Sequence, residues 1–358
     1  MLNFAVVSDI HFYHRRTPTS HITTAFWEWI VTHHDKLAKC ELLILAGDIF
    51  DRFIPSHYPD IKQVNHFFIQ LGMWLKRQRI GLIVLEGTHS HDRGQFQPIY
   101  TTLTSLNVEV YYFDSVCVQT IHGHDFLFVP DNWHPSPLQT AADAAQAVME
   151  HGVAQVDYAI MHGYMEYQLP KLVEHAFPQA SFEALVKHSI HIGHVHTRSK
   201  LRKVHAQGSF DRLAHGEEEL KGGDILINGK VSQLVNTRAY DYISVDLTEV
   251  SLADSFSQIA TLAPSMQAGY LRIMAPRLHP IFNHFPKLIQ EYPWINFERL
   301  YDKEKQNDGI SKALLPVSEF DVLEQLKLWS PKLPPAAFNL IADLLNSSQT
   351  KIEDVKSV

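Results

Sequence analysis

The sequence contains few cysteines, no long hydrophobic run and no excess of basic charge. Cys40 and Cys117 are the two cysteines among 358 residues, and each lies within an apolar run. This excludes a disulfide framework and a cysteine-based zinc site, and it is typical of proteins in a reducing compartment. No stretch approaches about 18 consecutive apolar residues, and the start of the chain lacks the basic segment and cleavage site of a signal peptide. We therefore expect a cytoplasmic protein that contacts no membrane.

The charge balance excludes a protein whose entire surface binds the backbone of nucleic acids. The chain has 31 Lys and Arg residues against 39 Asp and Glu residues, which gives a net charge of −8 with histidine neutral. Any contact with a phosphate backbone must therefore be local. Histidine, in contrast, is abundant, with 23 copies. Histidine is the commonest side-chain metal ligand and a general acid or base near neutral pH, so the positions of these side chains are informative about function.

Short apolar runs alternate with longer amphipathic runs over the first 110 residues. The short runs predict strands, at 4–7, 42–45 and 82–85. The longer runs predict helices, at 24–37, 64–75 and 96–106. This alternation predicts an α/β fold with helices packed on a sheet. In such folds ligands bind at the carboxyl ends of the strands.

Aspartate or histidine follows the end of several predicted strands, including two later ones at 158–161 and 190–192. Six side chains share this placement: Asp9, His11, Asp48, His162, His194 and His196. Asp9 and His11, like His194 and His196, have the two-residue spacing that turns strand side chains to one face. We therefore expect the six groups to converge on one site.

The number and type of these groups indicate two metal ions. Six ligands are too many for one tetrahedral zinc with an open position, and they suit two divalent ions that share a bridging carboxylate. Carboxylate and imidazole ligands without thiolate favour manganese, iron or zinc over calcium.

The order of these motifs resembles that of the calcineurin-like metallophosphoesterase superfamily. The shared elements are Asp-x-His, Gly-Asp-x-x-Asp, a His-Asp element, His-Gly and Gly-His-x-His. GDIFD at 47–51, Gln207-Gly208-Ser209, Gly216-Glu217 and Lys221-Gly222 further resemble DNA-repair nucleases of the SbcD type, especially phage-encoded ones. The resemblance covers about residues 1–240. It implies a two-sheet sandwich flanked by helices, a small α+β capping domain and C-terminal helices.

The resemblance also assigns the ligands to two metal ions, most simply Mn²⁺, with Fe²⁺ or Zn²⁺ as alternatives. One ion is expected on Asp9, His11, Asp48 and His196. The other is expected on Asp48, His162 and His194. Asp48 would then bridge the two ions.

The Asn-His-Asp element of the family corresponds here to Ser90-His91-Asp92. This alignment makes Ser90 a ligand of the second metal, in place of an amide oxygen. It makes His91 the catalytic histidine, which protonates the leaving oxygen or stabilises charge on the phosphoryl oxygens. A competing alignment uses Thr88-His89, so the sequence leaves open whether Ser90 or Thr88 takes the ligand position.

We predict three segments: a nuclease domain at 1–238, a DNA-contacting capping domain at 239–315, and C-terminal helices with a tail at 316–358. Asn228-Gly229 predicts a two-residue hairpin turn. The segments 317–329 and 335–346 each predict a helix with one apolar face. Such faces are either core or, as the resemblance implies, a docking element for an SbcC-like coiled-coil ATPase. A homodimer is compatible with the same pattern.

Cations cluster near the predicted ligands, because no acid occurs between residues 10 and 27 or between 184 and 210. We expect DNA contacts from Arg15, Arg16, Arg198, Lys200 and Arg202. The predicted function is a metal-dependent DNA exonuclease and endonuclease, the nuclease subunit of an SbcCD-like repair and recombination complex in a bacterial or phage-infected cell. One alternative is a phosphodiesterase or phosphatase for a small nucleotide or a phosphoprotein. The other is a metal-poor scaffold without catalytic activity.

Overall fold

The computed structural model describes residues 2–55, 57–131, 136–168 and 176–301. The chain divides into two units, residues 1–303 and residues 304–358, and every described residue lies in the first. The predicted C-terminal helices at 317–329 and 335–346 lie outside the described residues. In the part of the chain that is described, no helix is long and apolar enough to cross a membrane.

The described strands are, in chain order, β1 (Phe4–Val7), β2 (Leu42–Ala46), β3 (Gly81–Leu85), β4 (Val110–Phe113), β5 (Cys117–Ile121), β6 (His124–Val129), β7 (Val156–His162), β8 (Tyr164–Met165), β9 (Ala176–Phe177), β10 (Val186–Gly193), β11 (Ser199–Leu201), β12 (Val204–Ala206), β13 (Gly222–Ile227), β14 (Lys230–Val235), β15 (Asp241–Asp246), β16 (Gly269–Ala275) and β17 (Ile295–Tyr301). The described α-helices are α1 (Thr19–Thr32), α2 (His34–Leu37), α3 (Asp60–Gln78), α4 (Gln97–Ser105), α5 (Pro137–Glu150), α6 (Gln179–Leu185), α7 (Leu252–Leu262) and α8 (Phe285–Glu291).

Two six-stranded sheets form the centre of the fold. The first has the order β14-β13-β1-β2-β3-β4, with β1 to β4 parallel and β13 antiparallel to β1. The second has the order β11-β12-β10-β7-β6-β5, with β6, β7, β10 and β12 parallel and antiparallel strands at both edges.

Apolar side chains from both sheets fill the space between them. Phe4 packs edge-on against Tyr158 with ring centroids 5.1 Å apart, and Phe113 stacks on Phe128 at 3.7 Å. Helices α1, α3 and α4 pack on the outer face of the first sheet, and α5 and α6 on that of the second. The structure thus confirms the predicted α/β class with a two-sheet sandwich flanked by helices.

A separate three-stranded sheet follows Tyr240. Its strands β15, β16 and β17 run parallel and alternate with α7 and α8, which gives a βαβαβ arrangement around its own apolar core. It begins shortly after the boundary predicted between 238 and 239. By contacts, however, it belongs to the same unit as the sandwich, residues 1–303.

The parallel strands of the sandwich decide where functional side chains can meet. The loop after β1 binds the loop after β2, because the amide of Asp9 donates to the carbonyl of Gly47 at 3.0 Å. Across the sandwich, the amide of His194 after β10 donates to the carboxylate of Asp9 at 2.9 Å. The carboxyl ends of strands from both sheets therefore share one edge of the molecule.

Candidate metal centre

The six predicted ligands lie at this shared edge. Asp9 and Asp48 each stand two residues after a strand of the first sheet, whereas His162 ends β7 and His194 follows β10 directly. Each sheet thus contributes ligands to the same site. Asp9, His11, Asp48 and His162 are all almost fully buried.

The ligand pairs lie beyond the strands, and this differs from the expected geometry. Asp9 and His11 were expected on one face of an extended strand, but β1 ends at Val7 and both residues have a left-handed backbone, with φ of 51° and 52°. Asp48 and His194 also have positive φ, 49° and 95°. Left-handed backbone is unfavourable for residues with a Cβ, and such residues are concentrated at functional sites. The side chains converge because the chain turns sharply there.

Two glycines allow the loops to approach. A Cβ on Gly193 would stand 2.5 Å from the carbonyl oxygen of Ala46 and 2.8 Å from Nδ1 of His162. A Cβ on Gly47, whose φ is +84°, would overlap the His162 ring. These positions need glycine because backbone and imidazole occupy the space of a side chain.

The ligand atoms form three overlapping groups, each within 4.8 Å. The groups are Asp9, His11 and His196; then His11, Asp48 and His91; then Asp48, His162 and His194. His11 belongs to the first two and Asp48 to the last two. This set of carboxylates and imidazoles could bind metal ions, and Asp48 stands where it could bridge two of them.

Several ring nitrogens in the centre have no hydrogen-bond partner in the described structure. Nδ1 and Nε2 of His11 and Nε2 of His162 are buried and have no hydrogen-bond partner among the described residues. Buried polar atoms are rarely left without partners. Two divalent ions held by Asp9, His11, Asp48, His162, His194 and His196 would supply a partner for one nitrogen of His11 and for Nε2 of His162, so the residues fit the expected cofactor.

Neighbouring groups fix the orientation of the histidine rings. Nδ1 of His162 donates to the carbonyl of Ala46 at 2.8 Å, and Nδ1 of His196 donates to Glu217 at 2.9 Å. In each ring this hydrogen bond keeps the proton of the neutral imidazole on Nδ1. The lone pair of Nε2 is therefore available to bind a metal. The pKa of Glu217 is lowered to about 2, because contacts with His196 and Lys221 outweigh its burial.

The charges of the site are strongly coupled. Burial by itself would raise the pKa of Asp48, but His162, His91 and His11 hold it well below its usual range. Burial would likewise lower the pKa of His162, yet Asp48, whose Oδ1 lies 3.2 Å from Nε2, raises it to about 10. Without metal, the proton on His162 therefore takes the place of a cation beside Asp48.

The Thr88 to Asp92 loop completes the centre. The backbone amide of Thr88 donates to Asp48 at 2.6 Å, and its hydroxyl lies 3.2 Å from both Oδ2 of Asp48 and Nδ1 of His194. Ser90 and His89 are exposed. Thr88 therefore lies beside Asp48 and His194, two of the expected ligands of the second metal, whereas Ser90 makes no hydrogen bond to them in the described structure.

His91 and Asp92 have different places in this loop. Nδ1 of His91 lies 3.1 Å from Oδ2 of Asp48, at the edge of the centre. Asp92 is buried and accepts hydrogen bonds from the amides of Phe50 and Gly87. Burial and the nearby charge of Asp48 raise its pKa to about 7. Asp92 thus fixes the loop that carries His91.

Sequence reasoning missed two supporting acids. Asp131 lies 3.8 Å from Nδ1 of His194 and follows the end of β6 by two residues, the spacing that Asp9 and Asp48 show after β1 and β2. That spacing could have identified it. Asp51, the last residue of GDIFD, lies 3.5 Å from Nδ1 of His11.

The predicted DNA-contacting residues divide into paired and exposed ones. Arg16 binds Glu298 and lies over the Tyr270 ring at 4.2 Å. Arg198 binds Asp224 at 2.8 Å, and Arg202 lies 3.6 Å from Glu183. The β11–β12 turn that carries Arg202 is at the end of the sandwich opposite the ligands, so the structure does not bring this residue to the metal centre.

Arg15 and Lys200 are both exposed and have no ion pair with another described residue. Of the five predicted cations, these two therefore have charge available for a ligand. Neither contacts any of the six Asp and His ligands by a described hydrogen bond.

Comparisons with known proteins give a weak likeness of shape only. No family model and no curated protein matches this chain. A crystal structure of TT1561 of Thermus thermophilus is similar over 65% of this chain and 99% of that one, at 10% identity and a TM-score of 0.41. A second crystal structure is similar over 65% of this chain and 98% of that one, at 9% identity and the same TM-score. We therefore infer function from the site itself.

The shared position of Asp48 predicts unequal effects of ligand removal. Asp48→Ala should remove both metal ions, because it eliminates the carboxylate common to two groups, whereas His162→Ala should mainly weaken one ion. Metal content per chain, measured by elemental analysis after gel filtration in a metal-containing buffer, tests this. Two tightly bound ions in Asp48→Ala would contradict the bridging assignment.

The raised pKa of His162 predicts that metal uptake releases protons. Below a pKa of about 10 the ring is protonated in the metal-free centre, and coordination through Nε2 must expel that proton. Metal affinity should therefore rise with pH between about pH 6 and 8. Calorimetric titration of Mn²⁺ in Pipes and in Tris should give enthalpies that differ by the buffers' ionisation enthalpies. Equal enthalpies in the two buffers would contradict the prediction.

Proposed function

We propose that this chain is a two-metal phosphodiester hydrolase that cleaves DNA, a nuclease subunit of the SbcD type. The observation that carries the proposal is the buried carboxylate of Asp48, which belongs to two ligand groups at once. A shared carboxylate between two sets of imidazoles is the arrangement that two adjacent divalent ions require. Manganese fits this donor set, and iron or zinc are the alternatives.

Hydrolysis at phosphorus follows from the chemistry of such a centre. When bound, two divalent ions would lower the pKa of the attacking water and neutralise charge on the phosphate. The chain's own residues orient the ligands, through Ala46 and Glu217 on the histidine rings and through Thr88 on Asp48. These contacts fix the centre before a substrate binds, which reduces the reorganisation needed in the transition state.

His91 is the proton donor in this proposal. Its side chain is 29% exposed, whereas that of His11 is 4% exposed, so it lies on the open side of the centre. Burial by itself would lower the pKa of His91, but the hydrogen bond and the charge of Asp48 raise it above its ordinary value. The contact with Asp48 therefore favours the protonated ring, which is the form that can deliver a proton to the leaving oxygen.

The proposed substrate of the centre is DNA. This part of the proposal is supported by the acid-free segment 10–27 beside the first ligand pair and by the exposed charge of Arg15. An SbcC-like ATPase partner and a homodimer stay predictions, because the C-terminal segment lies outside the described residues.

A second function is favoured by a specific observation, the pairing of Arg16, Arg198 and Arg202 with acids. With these charges neutralised, a small phosphodiester or phosphomonoester could be the substrate instead. The metal centre would be the same, because the two functions differ only in the surface that contacts the rest of the substrate.

Parallel assays distinguish the two substrates. With Mn²⁺, labelled single- and double-stranded DNA should be cleaved, and chelation should abolish the cleavage. Bis-nitrophenyl phosphate serves as the generic phosphodiester. Activity on the small ester together with complete inactivity on DNA would overturn the nuclease proposal. Inactivity on both substrates would overturn it too, and a low metal content would then support the metal-poor scaffold.

Loss of His91 should affect turnover more than metal binding. We expect His91→Ala to lose about 100-fold or more in kcat, with metal content and DNA affinity close to those of the unmodified chain. His89→Ala is the matched control, since His89 is exposed in the same loop. Loss of one metal ion in His91→Ala would identify His91 as a ligand of the middle group. An inactive His89→Ala would show that the other alignment is right.

A further inference from the structure

A second polar cavity lies between the two sheets, away from the metal centre. It has a volume of about 530 Å³, and its walls come from β7, β10, β11, β12 and the β13–β14 hairpin. Five basic side chains line it: Lys187, Lys200, Lys230, His188 and His205. Among the described residues, no acid does so. A volume of this size is within the range of small-molecule sites, about 300–1,000 Å³.

The cavity carries a net positive charge. Asp157 neutralises part of it, since it binds Lys187 at 3.2 Å and lies 3.8 Å from His188. Lys200 and Lys230 are exposed and have no ion pair among the described residues. Asp224, two residues before Leu226 of the wall, is occupied by Arg198.

The cations of the cavity affect the pKa of His205, which lies in the cavity wall with 7% of its surface exposed. Burial and the charges of Lys200 and Arg198 lower its pKa to about 4. His205 is therefore neutral at pH 7, and its ring N–H is a donor that adds no charge of its own. Cation and donor groups face the same space.

Tyr158 adds a residue with a buried hydroxyl to the wall of the cavity. Tyr158 is fully buried and lines the cavity, and in the described structure its O–H proton has no acceptor. Ser189, also buried there, is hydrogen-bonded to Nε2 of His191 at 3.0 Å. A buried hydroxyl proton without an acceptor costs free energy unless a ligand or water accepts it.

We propose that this cavity binds a small molecule through a phosphate group, at a site distinct from the metal centre. Lys200 and Lys230 supply charge, whereas Tyr158 and His205 supply fixed donors at the bottom. Phosphate oxygens accept several such hydrogen bonds at once, and cations on flexible stems suit a phosphate as point charges. The occupant is small because the inner donors are buried between the sheets, where a duplex cannot enter.

The cavity and the metal centre lie at different places along β10. Along β10, Lys187 and His188 stand at the start of the strand, and Gly193 at its end adjoins the metal ligands. At about 3.3 Å per residue, His188 lies roughly 16 Å from Gly193 along the strand, and His205, which pairs with His191, lies roughly 7 Å from it. No residue of the cavity wall belongs to the ligand groups. The proposal therefore does not rest on the proposed function.

The test compares variants of the metal-loaded full-length chain by calorimetric titration with inorganic phosphate and, separately, with adenosine 5′-monophosphate. The unmodified chain should show binding at the cavity in addition to any at the metal centre. Lys200→Gln combined with Lys230→Gln should weaken the cavity component at least about 10-fold. Tyr158→Phe should weaken it about threefold, because it removes one hydroxyl donor from the cavity wall.

Lys62→Gln, in the exposed face of α3, is the matched lysine control and should bind as the unmodified chain does. Tighter binding of the nucleotide would identify a phosphate ester as the occupant, and equal binding would identify the phosphate group alone. Both results support the site.

Unchanged binding in both cavity variants, or binding of duplex DNA with neither phosphate compound bound, would overturn the proposal. Hydrolysis of bis-nitrophenyl phosphate should be the same in the unmodified chain and in all three variants. A chain without hydrolytic activity that still binds phosphate in the cavity would overturn the proposed function and leave this site intact.

Discussion

The buried carboxylate of Asp48 is the constraint on which the rest of the site depends. An ionised carboxylate at 2% exposure is unfavourable unless charge and hydrogen bonds compensate it. Here the imidazoles of His91 and His162 lie within 3.2 Å, and the amide of Thr88 donates at 2.6 Å. Glycine at 47 and 193 gives these groups room to approach. The loops, the glycines and the ring orientations are all arranged around one negative charge.

The sequence predicts the parts of this arrangement that depend on local pattern. The first three strands agree closely with the predicted runs, and the Asn228-Gly229 hairpin turn is confirmed, since both residues have positive φ between β13 and β14. The six Asp and His side chains were expected at one site because strand ends of parallel sheets lie together. In each case a short run of residues contains the whole signal.

The other parts depend on contacts between distant segments. The left-handed backbone of Asp9 and His11 is stabilised by Gly47 and Asp48, so periodicity within 4–11 could not reveal it. Glu217 reaches His196 from another loop. The acid-free run 184–210 illustrates the same limit for charge. Its strands β10, β11 and β12 form one side of the second sheet, and of its cations Lys187 and Lys200 line the cavity although the run also contains two metal ligands.

The ligands come from strands of both sheets, and this has a consequence for how the protein is made. Chains fold from the N-terminus as they leave the ribosome. The first sheet alone would present Asp9, His11 and Asp48, but His194 and His196 are synthesised almost 150 residues after Asp48. An incomplete nascent chain therefore lacks the ligands that the second sheet supplies. A complete set of metal ligands should therefore arise late in synthesis, once the second sheet has packed on the first, and prematurely terminated fragments should lack the metal centre.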